Sequence, residues 1–190
     1  MGVYHSPMPG ARWRPAASSL RTAFVAAAAA WAGLLVAATF AASRPHATAF
    51  ATALIVGVYG IGSAVCHQLP ERSYQLWHAQ MPVCARCAGI YAGAAVSAVI
   101  ALAVHMRGAR GFQPSGSRSP ACPEPGRGER LALHWARPLL AVAVTPTLVT
   151  LAYEWTTGIM PSHAIRAAAG LPIGIIVAWL VVAAADNQVN

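Results

Sequence analysis

Long apolar runs alternate with short polar breaks along almost the whole chain. Residues 22–42 form the first run, and about 20 apolar residues suffice to cross a bilayer as a helix. Ser43-Arg44-Pro45 breaks it. Residues 47–65 make a second span that ends at Cys66, and a third runs from Cys84 or Cys87 to His105. Pro138 suits the first turn of a fourth helix, expected to reach about Tyr153 with a bend at Pro146. The last span covers about residues 164–185 and contains Pro172. The pattern predicts an all-α, multi-pass transmembrane helical bundle of about five spans.

The remaining segments are polar. Residues 1–21 carry Pro7, Pro9, Pro15 and three arginines and are expected to be disordered. Their arginines, followed by an apolar run with an A-x-A-like end near Phe40, also resemble a signal peptide. The run exceeds the usual apolar core of about 7–15 residues, so a retained helix is preferred; cleavage would leave four spans. Residues 107–137, rich in Gly, Pro, Ser and Arg, read as a flexible loop in which Cys122 is incidental. Residues 22–185 then form the membrane domain, and 186–190 a short tail.

Two crossings, the third and the fourth, separate residues 66–82 from residues 156–162. Those loops therefore lie on the same side of the membrane, and Glu154, Ser162, His163 and Arg166 come to the face that carries Cys66. Arg44, Arg107, Arg110, Arg130 and Arg137 flank spans on the opposite face. Positive charge favours the cytoplasm, which turns the motif face outward; Arg12, Arg14 and Arg21 count against this.

Composition agrees with the spans. Mean hydropathy is +0.52, and 9% of residues are charged where a soluble domain carries about 25%. The net charge of +8 comes from arginine alone, since the chain has no lysine. Set between apolar runs, those arginines read as topology signals and contacts to membrane lipids rather than a nucleic-acid surface. A prokaryotic cytoplasmic membrane is the expected location. Four cysteines are too few for a secreted disulfide framework, and their spacing points to a site.

Residues 66–93 gather that chemistry. Cys84-Ala-Arg-Cys87 follows Pro82 at the expected start of the third helix, where i and i+3 sulfurs share a face. A helix N-terminus and Arg86 favour thiolate there. Cys66, returned by a loop with Pro70 and Pro82, would add a third sulfur. His67, His78 or His163 could complete a tetrahedral set for zinc or another thiophilic metal. His67, adjacent to Cys66, reaches the same ion only with strain and could act instead through a hydrogen bond. A thiol–disulfide pair and plain packing are the other readings of these sulfurs.

Arg86 and Arg166 sit in the first turns of their helices, where the dipole disfavours a cation. A compensating anion is expected: Glu71, Glu154, or a bound group such as a lipid phosphate. Glu154 is the one carboxylate placed at membrane depth, where ionisable residues are functional candidates. Gly89-x-x-x-Gly93 and Gly170-x-x-x-Gly174 are spaced for close contact between spans three and five.

The block Cys66-His67-Gln68, Pro70-Glu71-Arg72-Ser73, Gln80, Pro82, Cys84, Arg86-Cys87, Gly89-Ile90-Tyr91 and Gly93 resembles a bacterial and archaeal membrane-protein family, catalogued as domain of unknown function 2085. A second block is similar at Glu154, Ser162, Arg166 and Gly170. The family more usually shows Asp near Glu154, Asn at His163 and Thr at Ala88. The resemblance implies a small multi-pass protein and brings no activity with it.

Three functions follow from the residues. The first is a metal site of Cys66, Cys84 and Cys87 with a histidine, His67 foremost; with an open position, Glu71 or Glu154 could serve as base in metal-assisted hydrolysis. The second is a membrane thiol oxidoreductase, with Cys84 and Cys87 exchanging with Cys66 or an external disulfide. The third is an anionic-lipid binder or transporter using Arg72, Arg86 and Arg166.

Overall fold

The computed structural model describes the backbone of residues 16–111 and 127–187 and the side chains of residues 21–104 and 135–184. Five α-helices and one small hairpin make up these residues: α1 (Ala16–Ala42), α2 (Ala49–Val65), a single 3₁₀ turn (Pro70–Arg72), β1 (Ser73–Leu76), β2 (Ala79–Cys84), α3 (Ala85–Gly111), α4 (Arg127–Thr157) and α5 (His163–Asn187). Four stretches are long and apolar enough to cross a membrane: Arg21–Ala42, Ala85–Val104, Trp135–Thr157 and His163–Ala184. The remaining helix, α2, has 17 residues, about 25 Å at 1.5 Å per residue, the lower limit for a crossing.

Several boundaries differ from those read off the pattern. α1 starts at Ala16, inside the stretch expected to be disordered, because the sequence after Pro15 is rich in alanine and free of breakers. The expected loop 107–137 is also shorter at both ends. α3 continues to Gly111, and α4 begins at Arg127. Residues 129–137 (Glu-Arg-Leu-Ala-Leu-His-Trp-Ala-Arg) contain mostly good helix formers, so Pro138 lies well inside α4 rather than in its first turn. Cys122 lies outside the described residues.

The third helix begins one residue after Cys84, because β2 occupies the residues before it. The loop expected over residues 66–82 is largely an antiparallel hairpin. It pairs Leu76 with Ala79, Gln75 with Gln80 and Ser73 with Cys84, with an irregularity between Ser73 and Gln75. Its two-residue turn is Trp77-His78, both at positive φ (51° and 65°).

The packing centre is the α3–α5 seam. A Cβ on Gly89, Gly93, Gly170 or Gly174 would run into the facing backbone at Ala167, Leu171, Arg86 or Ile90 respectively. The two small-residue motifs are thus the contact between these helices, and close backbone approach supplies the dispersion that lipid-facing surfaces cannot. α1 lies along α3 and also touches α2, β2 and α5. Leu35 and Ala38 of α1 join Val58, Met81 and Val83 in a buried cluster, with Cys66, Cys87 and Tyr91 at its edge. α4 packs against α5 and is the least buried of the four long helices. Many large apolar side chains, such as Phe50, Val142 and Trp155, are exposed, as a lipid-facing surface requires.

A thiol cluster and an ion cluster at one end of the bundle

Both candidate sites hang on the junction of β2 and α3. On one side, Cys66 comes off the C-terminus of α2, where its N–H still bonds the carbonyl of Gly62 (2.9 Å). A glutamine pair folds this end onto β2. Gln68, at φ 49°, donates through Nε2 to the carbonyls of Tyr59 (3.0 Å) and Pro82 (2.7 Å). Gln80 Nε2 donates back to the Gln68 carbonyl (2.5 Å), and the Tyr59 hydroxyl donates to the Gln80 carbonyl. Gly62 leaves room for this, since a Cβ there would strike the Pro82 carbonyl.

The result is a compact thiol cluster. The sulfurs of Cys66, Cys84 and Cys87 all lie within 4.8 Å of one another. All three cysteines are free and half-buried. Cys66 Sγ accepts the backbone N–H of Cys84 at 3.2 Å. The Cys84 thiol is held down at about 5, chiefly by its hydrogen bond with Cys87 and against the opposing effect of burial. No histidine or carboxylate joins this cluster among the described residues. His67 and His78 are exposed. His163 lies elsewhere: its Nε2 is 3.2 Å from the Glu71 carbonyl and its ring stacks at a tilt on Tyr74 (5.4 Å).

On the other side of the same turn, Arg86 reaches α4 and α5. Glu154 Oε1 accepts from Arg166 Nε at 2.9 Å and from Arg86 Nη2 at 3.2 Å. Arg86 Nη2 also lies 3.1 Å from the Thr150 hydroxyl, and Thr147 ties α4 to α5 through the Ala169 carbonyl (2.8 Å). Glu154 is 8% exposed and Arg166 2%. The expected anion for both arginines is therefore one carboxylate, Glu154, and not Glu71. These contacts also place the start of α3, the end of α4 and the start of α5 at one end of the bundle, as span counting required. Arg72 follows Glu71 in the 3₁₀ turn, and neither joins either cluster.

Gln68, Gln80, Tyr59 and Gly62 are the positioning residues that sequence reasoning left without a role. The two glutamines stand in the motif block, but nothing in their spacing says that each bonds the other's segment. Together, fold and site define a multi-pass helical membrane protein with a thiol cluster at one end. Residues 66–122 match the model of a family described as predicted membrane protein, domain of unknown function 2085, the family that the block from Cys66 to Gly93 resembles. The match takes in the hairpin and α3 and leaves out α1, α2, α4 and α5. A 43-residue stretch is 46% identical to the uncharacterized protein MJ1492 of Methanocaldococcus jannaschii, covering 23% of this chain and 28% of that protein. No solved structure matches the chain.

Proposed function

We propose that Cys66, Cys84 and Cys87 hold one thiophilic metal ion, zinc foremost, in a prokaryotic cytoplasmic membrane whose lipids surround the bundle. The observation that carries this is three sulfurs from two segments within 4.8 Å of one another. A tetrahedral zinc with Zn–S near 2.3 Å needs sulfurs about 3.8 Å apart, within the 4.8 Å limit that bounds all three. The lowered Cys84 thiol favours thiolate, the form that binds metal. Three sulfurs leave a fourth position, filled by His67 or by solvent. A closed site would be structural, locking α2 to the hairpin and α3; an open one would present a Lewis acid at the membrane face.

Elemental analysis of reduced, detergent-purified protein tests this. About one ion per chain is expected, lost in a Cys84→Ser, Cys87→Ser double variant. Retention of the ion in His67→Ala assigns the fourth position to solvent. The lowered Cys84 thiol also favours a second reading, a thiol–disulfide oxidoreductase in which Cys84 attacks an external disulfide and Cys87 resolves it. Metal-free wild type that reversibly forms a Cys84–Cys87 disulfide would replace the first reading with the second.

A further inference from the structure

Arg86, Glu154 and Arg166 bring two guanidinium groups against one carboxylate, so the cluster keeps one positive charge in excess. It does so out of water: side-chain exposure is 17% for Arg86, 6% for Glu154 and 3% for Arg166. A buried charge is tolerated when its donors are all met, and here they are not. Arg166 spends Nε on Glu154, while its Nη1 and Nη2 are buried with no hydrogen-bond partner; Nε of Arg86 is buried and unmet as well. Both arginines lie in the first turns of long helices, α3 and α5, where the backbone dipoles add to the positive potential.

The unmet donors describe what would satisfy them. Nη1 and Nη2 of one guanidinium form a planar fork that two oxygens of an oxyanion accept together. Adding Arg86 Nε makes three donor atoms on two side chains. A carboxylate has two oxygens; a phosphate offers three or four in a tetrahedral array. We propose that Arg166 and Arg86 bind a phosphate group, as inorganic phosphate or as the headgroup of an anionic phospholipid, with Glu154 holding the two cations in register. The ends of three spans meet at this cluster, which sets it at the depth of lipid phosphates. Arg86, the more exposed arginine, marks the side of approach. This site does not involve the sulfurs and stands whatever they bind.

The experiment uses the full chain, delipidated in a maltoside detergent, which carries no phosphate. Thermal unfolding is followed while inorganic phosphate, or phosphatidylglycerol in mixed micelles, is titrated at constant ionic strength. A rise in Tm is expected, with a larger rise in Glu154→Gln, where the anion takes over the missing counter-charge. Arg166→Lys, which keeps the charge and loses the fork, is expected to weaken binding by about tenfold or more; Arg86→Lys gives the same comparison should the first variant not fold. A response to inorganic phosphate assigns a soluble ligand. Phosphatidylglycerol retained in native mass spectrometry, lost on either substitution and without a phosphate response, assigns a lipid headgroup. If neither anion changes Tm, or both lysine variants bind as the wild type does, the proposal is wrong.

Discussion

The junction of β2 and α3 feeds two clusters of opposite character. Cys84 and Cys87 face the hairpin and the end of α2; Arg86, between them in sequence, reaches α4 and α5. The thiol cluster gathers groups that become negative, whereas the ion cluster sets two positive groups against a single carboxylate. Their supports differ too. Neutral side-chain-to-backbone bonds hold the sulfurs in place, while charge on charge across three helices holds the arginines. One is therefore built to be tuned by small geometric changes, and the other is sensitive to the loss of any single charge.

The sharpest way to separate them is at Glu154. Removing the carboxylate leaves two poorly solvated cations unpaired, so Glu154→Ala is expected to cost about 3–5 kcal/mol. Thermal unfolding in detergent reads this. The metal content held by the sulfurs should be unchanged below the transition; if it falls, the clusters are not independent. Gly174→Val strikes both at once, because its side chain would collide with the Ile90 backbone and push α3 from α5. About 1–3 kcal/mol of destabilisation is expected, with loss of metal and of the Arg86–Glu154 pair together. A wild-type melting curve for that variant would show that the seam yields.

Gln68→Ala should affect one side alone. It removes the donors to Tyr59 and Pro82, at about 1–2 kcal/mol, and should weaken metal binding while Arg86 keeps its partners. Hydrogen exchange at the α2–β2 contact, compared with that at the end of α4, reports the difference. The smallest effect is one of pH. In metal-free protein, Cys84 should alkylate with a midpoint near pH 5, since its thiol is held at about 5. A thiol depressed in the fold contributes stability that is complete above its unfolded value, near 8.5. That contribution is lost as pH falls through about 5. Cys87→Ala removes the largest cause and should move the alkylation midpoint back towards 8.5; an unmoved midpoint assigns the shift to the backbone donors.

Apolar patterning located the helices, and the cost of a cation at a helix N-terminus foretold a compensating anion for Arg86 and Arg166, with Glu71 and Glu154 both candidates; that one carboxylate serves both is what the structure adds. Two features were out of reach for stated reasons. The hairpin turns on Trp77-His78 at positive φ, where glycine or asparagine is the usual signal, so its strands looked like loop. The length of α4 was hidden because Pro138 and Pro146 argue for breaks that neighbouring helices and side-chain hydroxyls make tolerable in a membrane. The meeting of Gln68 with Gln80 depends on the same hairpin and disappeared with it.

The α3–α5 seam has a consequence for how the molecule could be taken apart. Its two surfaces come from chain segments before and after residues 112–126 in sequence, and they meet backbone to backbone at four glycines. Two polypeptides, one ending after α3 and one beginning at α4, carry complementary halves of the seam. All three sulfurs travel with the first piece, and Glu154 and Arg166 with the second. Reunion of the pieces in a membrane would re-create the ion cluster across a chain break, making the protein a natural split reporter whose signal is the return of the Arg86–Glu154 contact.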